Sequence, residues 1–270
     1  MRARARRAVH AVKYVDIPLS RVAASAALIA LAIVLSRRRR LGLERELLFG
    51  GVRAAAQLLA IGYALLFLFS HERPWSVLGT LAVMVVVAAA TAARRVEHGP
   101  SARVLFPYAL AAIVAGGGVA LVPVFVFVIP PEPWFEARYL IPISGMMLSS
   151  AMNVVAQIFE RLFSLAHNDA PVIEQLLALG ASPKQAMQAH VRASVRAALI
   201  PTINGLMTVG LVALPGMMTG QILSGTPPVN AVRYQIVIMY QLVAVAAVAG
   251  IVAAVLARRL SFTAREQLRG

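Results

Sequence analysis

The chain has no cysteine. It can build no disulfide framework, no thiolate metal centre and no cysteine nucleophile. Acidic side chains are scarce, with 11 Asp and Glu in 270 residues. Charged residues make up only 14 % of the chain, against about a quarter in an average soluble domain. A water-soluble fold of this length needs more charged surface than that. An ordinary cytosolic enzyme, a disulfide-rich secreted domain and a disordered tail are therefore excluded. No phosphate-cradling loop is present either. The run from Gly180 to Lys184 lacks both the glycine-rich stretch and the following Ser or Thr. No His, Asp and Ser constellation is evident, so no catalytic residue is assigned. The five histidines, His10, His71, His98, His167 and His190, are scattered outside the apolar runs, with no pair at ligand spacing within a span.

What is abundant is apolar. Hydrophobic residues form 60 % of the chain and the mean hydropathy is +0.76. A membrane-spanning helix needs about 20 mostly apolar residues. Seven stretches qualify: Pro18–Ser36, Leu47–Ser70, Pro74–Ala93, Val104–Ile129, Tyr139–Phe163, Leu199–Leu223 and Ala231–Ala257. The first is the weakest, because Arg21 interrupts it. It is no cleaved signal peptide, since four arginines follow where small residues should stand. The expected fold is thus an all-α polytopic membrane protein of about seven spans. A basic tail covers 1–16, one permease domain covers 17–260, and a short tail covers 261–270.

Twenty-six Lys and Arg against 11 acidic residues leave a net charge of +15. In a soluble protein this excess would point to nucleic acid. Here it sorts by loop. Arg37 to Arg40, Arg45, Arg94, Arg95, Arg103, Arg161, Lys184, Arg192, Arg196, Arg258, Arg259, Arg265 and Arg269 alternate with loops holding only Arg73, Arg138 and Arg233. The positive-inside rule places the first group in the cytoplasm, with an external N-terminus and an internal C-terminus. Arg2, Arg4, Arg6, Arg7, Lys13 and Arg21 run against this assignment. A basic tail of this kind can bind acidic headgroups at about 1 kcal/mol per residue; an unstructured start is the alternative.

The connection between the fifth and sixth stretches carries most local signal. Asp169 is a candidate N-cap with Pro171 in the first turn, and Gly180 is a candidate helix stop. Ser182-Pro183-Lys184-Gln185 has the form of a capping box, starting a helix that runs through Arg192 and Arg196 into the sixth span. The short helix between is expected to expose Ile173, Glu174, Leu176 and Leu177. Such a face suits either a partner groove or packing on its own bundle.

Polar residues inside apolar spans are costly and mark pathways or interhelical contacts. Arg53 and Gln57 are spaced i, i+4. Asn153, Gln157 and Glu160 are spaced i, i+4, i+7. Asn204 and Thr208 are spaced i, i+4. Gln221, Gln235 and Gln241 follow. Glu160 either sits at a pathway mouth or pairs with Arg161. Pro215 and Gly216 weaken the sixth stretch, and Gly216 to Gly220 form a G-x-x-x-G that permits close helix approach. Gly116-Gly117-Gly118 with Pro123 makes a second soft point. Ten methionines include Met146-Met147 and Met217-Met218. Thioethers suit soft ions and equally suit flexible packing. The residues alone point to no tight metal site.

Glu174, Ala178 and Gly180, followed by Ile200-Pro201, resemble the cytoplasmic loop of ABC-transporter permeases. The runs ALGASPKQA, ALIPTINGLMTVGLVALPGMMTGQILSG and AVRYQIVIMY are similar to the FetB-like iron-export permease family, which is related to plant aluminium-tolerance permeases. YVDIPLS, LGLERELL and VRAAAQLLAIGY extend the resemblance over nearly the whole chain. The resemblance implies the permease half of a two-component ABC transporter in the bacterial inner membrane. It implies pairing with a second copy and docking of an ATP-binding subunit through a coupling helix at about 171–182. Glu174, Leu176, Leu177, Ala178, Gly180 and Ser182 would form that docking surface. Arg53, Gln57, Asn153, Gln157, Glu160, Asn204, Thr208, Pro215, Gly216, Met217, Met218 and Gln221 would contribute to the pathway. ATP and Mg would bind the partner, with no cofactor in this chain and no nucleic-acid partner. Two other readings stay open: an ATP-independent transporter or channel, and a membrane scaffold or sensor that moves nothing.

Overall fold

The computed structural model describes residues 18–71, 73–263 and 265–268. The basic tail at 1–16 and Arg269 lie outside the described residues. The chain divides into two compact units, the first ending at His71.

The first unit is a helical hairpin of α1 (Leu19–Arg39) and α2 (Glu44–Ser70). Arg40 ends α1 in the left-handed conformation, and Leu41 N–H reaches back to the Ser36 carbonyl. The buried Ser36 hydroxyl donates to Glu44 Oε1 at 2.9 Å and accepts from Leu43 N–H at 3.2 Å. Glu44 and Glu46 occupy the first turn of α2, where the helix dipole favours negative charge.

The second unit comprises α3 (Pro74–Arg94), α4 (Ala102–Pro123), α5 (Ala137–Asn168), α6 (Ala170–Ala178), α7 (Pro183–Ala186), α8 (Gln188–Thr208), α9 (Gly216–Leu223) and α10 (Pro228–Leu260). Its core lies between α3, α4, α5 and α10 and is built largely from alanine, with Leu105, Ile113, Ile143, Met147, Ile158 and Phe159 between. Small residues let the backbones approach, since a bilayer supplies no hydrophobic force between helices. A Cβ on Gly116 would lie 2.7 Å from Ala249 Cβ and 3.0 Å from the Val245 carbonyl. Gly116 is therefore a packing contact on an unbroken α4, not a soft point. The disturbance falls later. Beyond Pro123, Val124–Val128 forms a π-turn closed by Ile129 N–H to the Val124 carbonyl at 2.8 Å.

Six helices, α1 to α5 and α10, are long and apolar enough to cross a bilayer. The all-α polytopic class holds, with one change in the count. Leu199–Leu223 is not one spanning helix. After Thr208 the chain turns through Gly210, at φ +81°, which donates to the Ala213 carbonyl, and α9 restarts behind Pro215. The left-handed glycine and the missing proline N–H break the ladder. Residues 199–208 reach about 15 Å, half of a hydrocarbon core. Since α10 has its C-terminus beside the start of α6, α8 and α9 together make the return traverse to Pro228.

Candidate functional site

The loop ends of α3, α5, α6 and α10 gather at one end of the second unit, the end that carries Arg94, Arg95, Arg103, Arg161, Lys184 and Arg258. They enclose a cavity of about 480 Å³ lined by residues that include His98, Phe163, His167, Glu174, Leu260 and Leu268.

The short helix α6 is tied at both ends. At its start, His190 Nε2 lies 2.8 Å from Asp169 Oδ2, so a side chain of α8 holds the N-cap residue. The Asp169 side chain makes no cap bond of its own. At its end, Gly180 N–H donates to the Leu177 carbonyl and Ala181 N–H to the Leu176 carbonyl, both at 3.0 Å. With Gly180 at φ +88° this is a Schellman stop. The capping box follows. Ser182 Oγ accepts from Gln185 N–H, and Gln185 Oε1 accepts from Ser182 N–H at 2.9 Å. The helix it opens lasts one turn. Met187, fully buried, leaves helical geometry at ψ 4°, so the long helix starts only at Gln188.

The exposed face of α6 differs from the expected one. Ile173 is fully buried in the core, and Leu177 is half-buried against it. These two positions, four residues apart, anchor the helix. The outward face is Val172, Glu174, Gln175, Leu176, Ala178 and Leu179, with Leu179 84 % exposed. Val172 and Leu179 were not singled out from the sequence. Only the packing direction of α6 could separate them from Ile173 and Leu177.

Asn153, Gln157 and Glu160 do share one half-exposed face of α5. Arg95 Nη1 donates to Asn153 Oδ1 at 3.1 Å. Arg95, Gln157, Glu160, Arg161 and Ala197 line a cleft of about 500 Å³. Glu160 does not pair with Arg161. Its Oε2 accepts the Glu97 backbone N–H at 2.7 Å, and its Oε1 lies 3.7 Å from His98 Nδ1. The carboxylate faces the α3–α4 connection, while Arg161 is exposed. Glu97 and His98 were missed in the sequence because nothing there showed that this connection folds onto α5. One usable signal was present: Glu160, Phe163 and His167 recur at i, i+3 and i+7.

The remaining pathway candidates are dispersed. Asn204 and Thr208 are exposed on α8, where the Thr208 hydroxyl donates to the Asn204 carbonyl. Met218 lines a cavity of about 310 Å³ together with Gly210, Gln235, Met239 and Tyr240. Gln235 is buried, and its Oε1 has no hydrogen-bond partner among the described residues; Gln221 Oε1 is likewise unpartnered. Pro215, Met217 and Gln221 are half-buried, and Gly216 is open to solvent or lipid. No atom stands within 4 Å of a Cβ built on Gly216 or Gly220, so the G-x-x-x-G makes no close helix contact within the described residues. Arg53 and Gln57 lie on an exposed face of α2, in the first unit. Gln57 lines a shallow groove there with Ala54 and Ile61.

Helical architecture, six membrane-length helices and a polar, loop-built end define a multi-pass membrane protein. The chain belongs to the uncharacterised protein family UPF0014, whose family model matches residues 19–262. It is 42 % identical to the UPF0014 membrane protein slr1647 of Synechocystis over 79 % of this chain and 82 % of that one. It is 36 % identical to the protein of Escherichia coli named "Probable iron export permease protein FetB", over 89 % and 91 % of the two chains. It is also 36 % identical to the Arabidopsis thaliana protein ALUMINUM SENSITIVE 3, over 92 % and 88 %. No solved structure matches the chain.

Proposed function

We propose that this chain is the membrane-spanning permease subunit of an ABC transporter, a single permease domain over residues 17–260 that exports iron or another metal ion. ATP and Mg would bind a separate ATP-binding subunit. Two permease copies would pair, each docking one such subunit through residues 171–182. The basic end would face the cytoplasm.

The observation that carries this reading is the construction of α6. It is a nine-residue helix, anchored inward by Ile173 and clamped by Asp169–His190 and the Gly180 stop. It presents Val172, Glu174, Leu176 and Leu179 outward. A rigid helix with an apolar and acidic outer face suits insertion into a groove of a partner. Because α6 follows α5 at Asp169 and is bonded to α8 through Asp169–His190, a push on it would reach the long helices. The FetB relative carries iron export in its name, which directs the cargo test.

The test is reconstitution with the ATP-binding cassette protein. Stimulated ATPase activity and ATP-dependent metal flux are expected. Glu174→Arg and Gly180→Pro should abolish the stimulation while the chain still inserts. Unchanged stimulation in both variants would overturn the docking role. A second reading, transport without ATP, draws on one observation. The α8–α9 traverse is broken beside a cavity containing the unpartnered Gln235, and such breaks serve as binding sites in secondary transporters. Flux from the single chain under an ion gradient alone would favour it. Absence of both flux and partner would leave a scaffold.

A further inference from the structure

We propose that Glu97, His98 and Glu160 form a binding site for a divalent first-row transition-metal ion. Its role, which rests on the export reading, is to load cargo at the mouth beside α6. The ligand atoms of the three side chains all lie within 4.8 Å of one another. One imidazole nitrogen with carboxylate oxygens is a borderline donor set suited to Fe(II), Mn(II) or Zn(II). It is too oxygen-rich for Cu(I) and carries a nitrogen that Mg(II) and Ca(II) do not require.

The three side chains come from two segments that are separately held in place. Glu160 stands on α5, and its Oε2 accepts the Glu97 N–H. One turn further along α5, Phe163 packs against Gly99 so closely that a Cβ there would lie 2.9 Å from its ring. The residue after His98 is thereby pressed onto the same helix face that presents Glu160. A second imidazole stands close by. The His167 ring is 6.0 Å from the His98 ring, and both line the 480 Å³ cavity that also contains Glu174 of α6. An ion entering that cavity thus has room and a second imidazole beside His98.

The exposure of the cluster sets its character. The His98 and Glu160 side chains are 54 % and 35 % exposed. Arg95 and Arg161 line the adjoining cleft with Glu160. Water and two guanidinium groups both weaken cation binding, which gives an ion that exchanges. Exchange suits loading and would not suit a permanent structural metal.

The experiment uses the full chain purified in detergent and titrated with Mn(II), followed by electron paramagnetic resonance. Anaerobic Fe(II) titration against a chromophoric chelator runs in parallel. One ion per chain is expected, with nitrogen hyperfine coupling from imidazole. His98→Ala should remove that coupling and weaken binding at least about tenfold. Glu160→Gln should weaken binding similarly while keeping an acceptor for Glu97 N–H. Glu132→Gln, an exposed carboxylate ahead of the start of α5, should leave binding unchanged. Helicity by circular dichroism confirms that each variant is folded. No binding by the folded wild-type chain, or wild-type affinity retained in both His98→Ala and Glu160→Gln, overturns the site. ATP-dependent metal flux separates the two claims. Flux without this binding overturns the site and leaves the export reading standing. Binding without flux keeps the site and overturns its loading role.

Discussion

The α4–α5–α10 core and the α8–α9 traverse are built on opposite principles. In the core, glycine and alanine bring backbones together. Gly116 meets Ala249, Gly250 meets Val154 and Ile158 at 3.0 and 3.1 Å, and α5 buries residues along its whole length. Along α8, only Ser194 and Ala198 are buried, and α9 buries none. Its glycines at 205, 216 and 220 have no neighbour within 4 Å of a Cβ. The same residue type thus serves close packing in one region and backbone freedom in the other. The core is close-packed, and the broken traverse is sparsely packed within the described residues.

Substitutions can break this contrast in a graded way. The largest effect is expected from Gly116→Val. Its Cβ cannot fit between Ala249 and the Val245 carbonyl, so α4 and α10 must separate. Overpacking of this kind costs about 1–3 kcal/mol or more, read as loss of the folded chain in thermal unfolding in detergent. Next is Gly180→Pro. It removes the N–H bonded to Leu177 and forbids φ +88°. ATPase stimulation should disappear while insertion persists. Gly210→Ala should cost about 1–2 kcal/mol, because its left-handed φ of +81° opposes a Cβ. Calorimetry or denaturant melts would read this shift. Ser182→Ala loses the side-chain half of the capping box and should cost about 1 kcal/mol. Smallest is Gly220→Ala, with open space around it; stability should stay within about 0.5 kcal/mol. A large loss there would mean that another surface covers α9.

The expected sites were legible to different depths. The stop at Gly180 and the box at Ser182 were readable because a cap is chemistry between residues two to five apart. The face of α6 was misread at Ile173 and Leu177. A short amphipathic helix exposes which residues are apolar, not which side a distant core lies on. Glu160 is legible as a polar residue in a span, either at a pathway mouth or paired with Arg161, and the pairing is the alternative that fails. Adjacent residues on a helix point about 100° apart, so the neighbour in sequence was the wrong neighbour in space. Pro215 was visible as a weak point. That Gly210 and Pro215 together split the traverse into two helices required the turn between them to close on itself through Gly210 and Ala213.

By itself the sequence determined the solvent. With 60 % hydrophobic residues and 14 % charged, gathered in runs of about 20, the chain suits helices that cross a bilayer with every backbone polar group satisfied internally. It also determined the helix ends, because caps and left-handed glycines act within a few residues. The tertiary structure alone decided what meets at the basic end. The meeting of Glu97 and His98 with Glu160, more than 60 positions away in the chain, depends on how α3 and α5 pack. That packing follows from the small-residue contacts of the whole core, which no local pattern encodes.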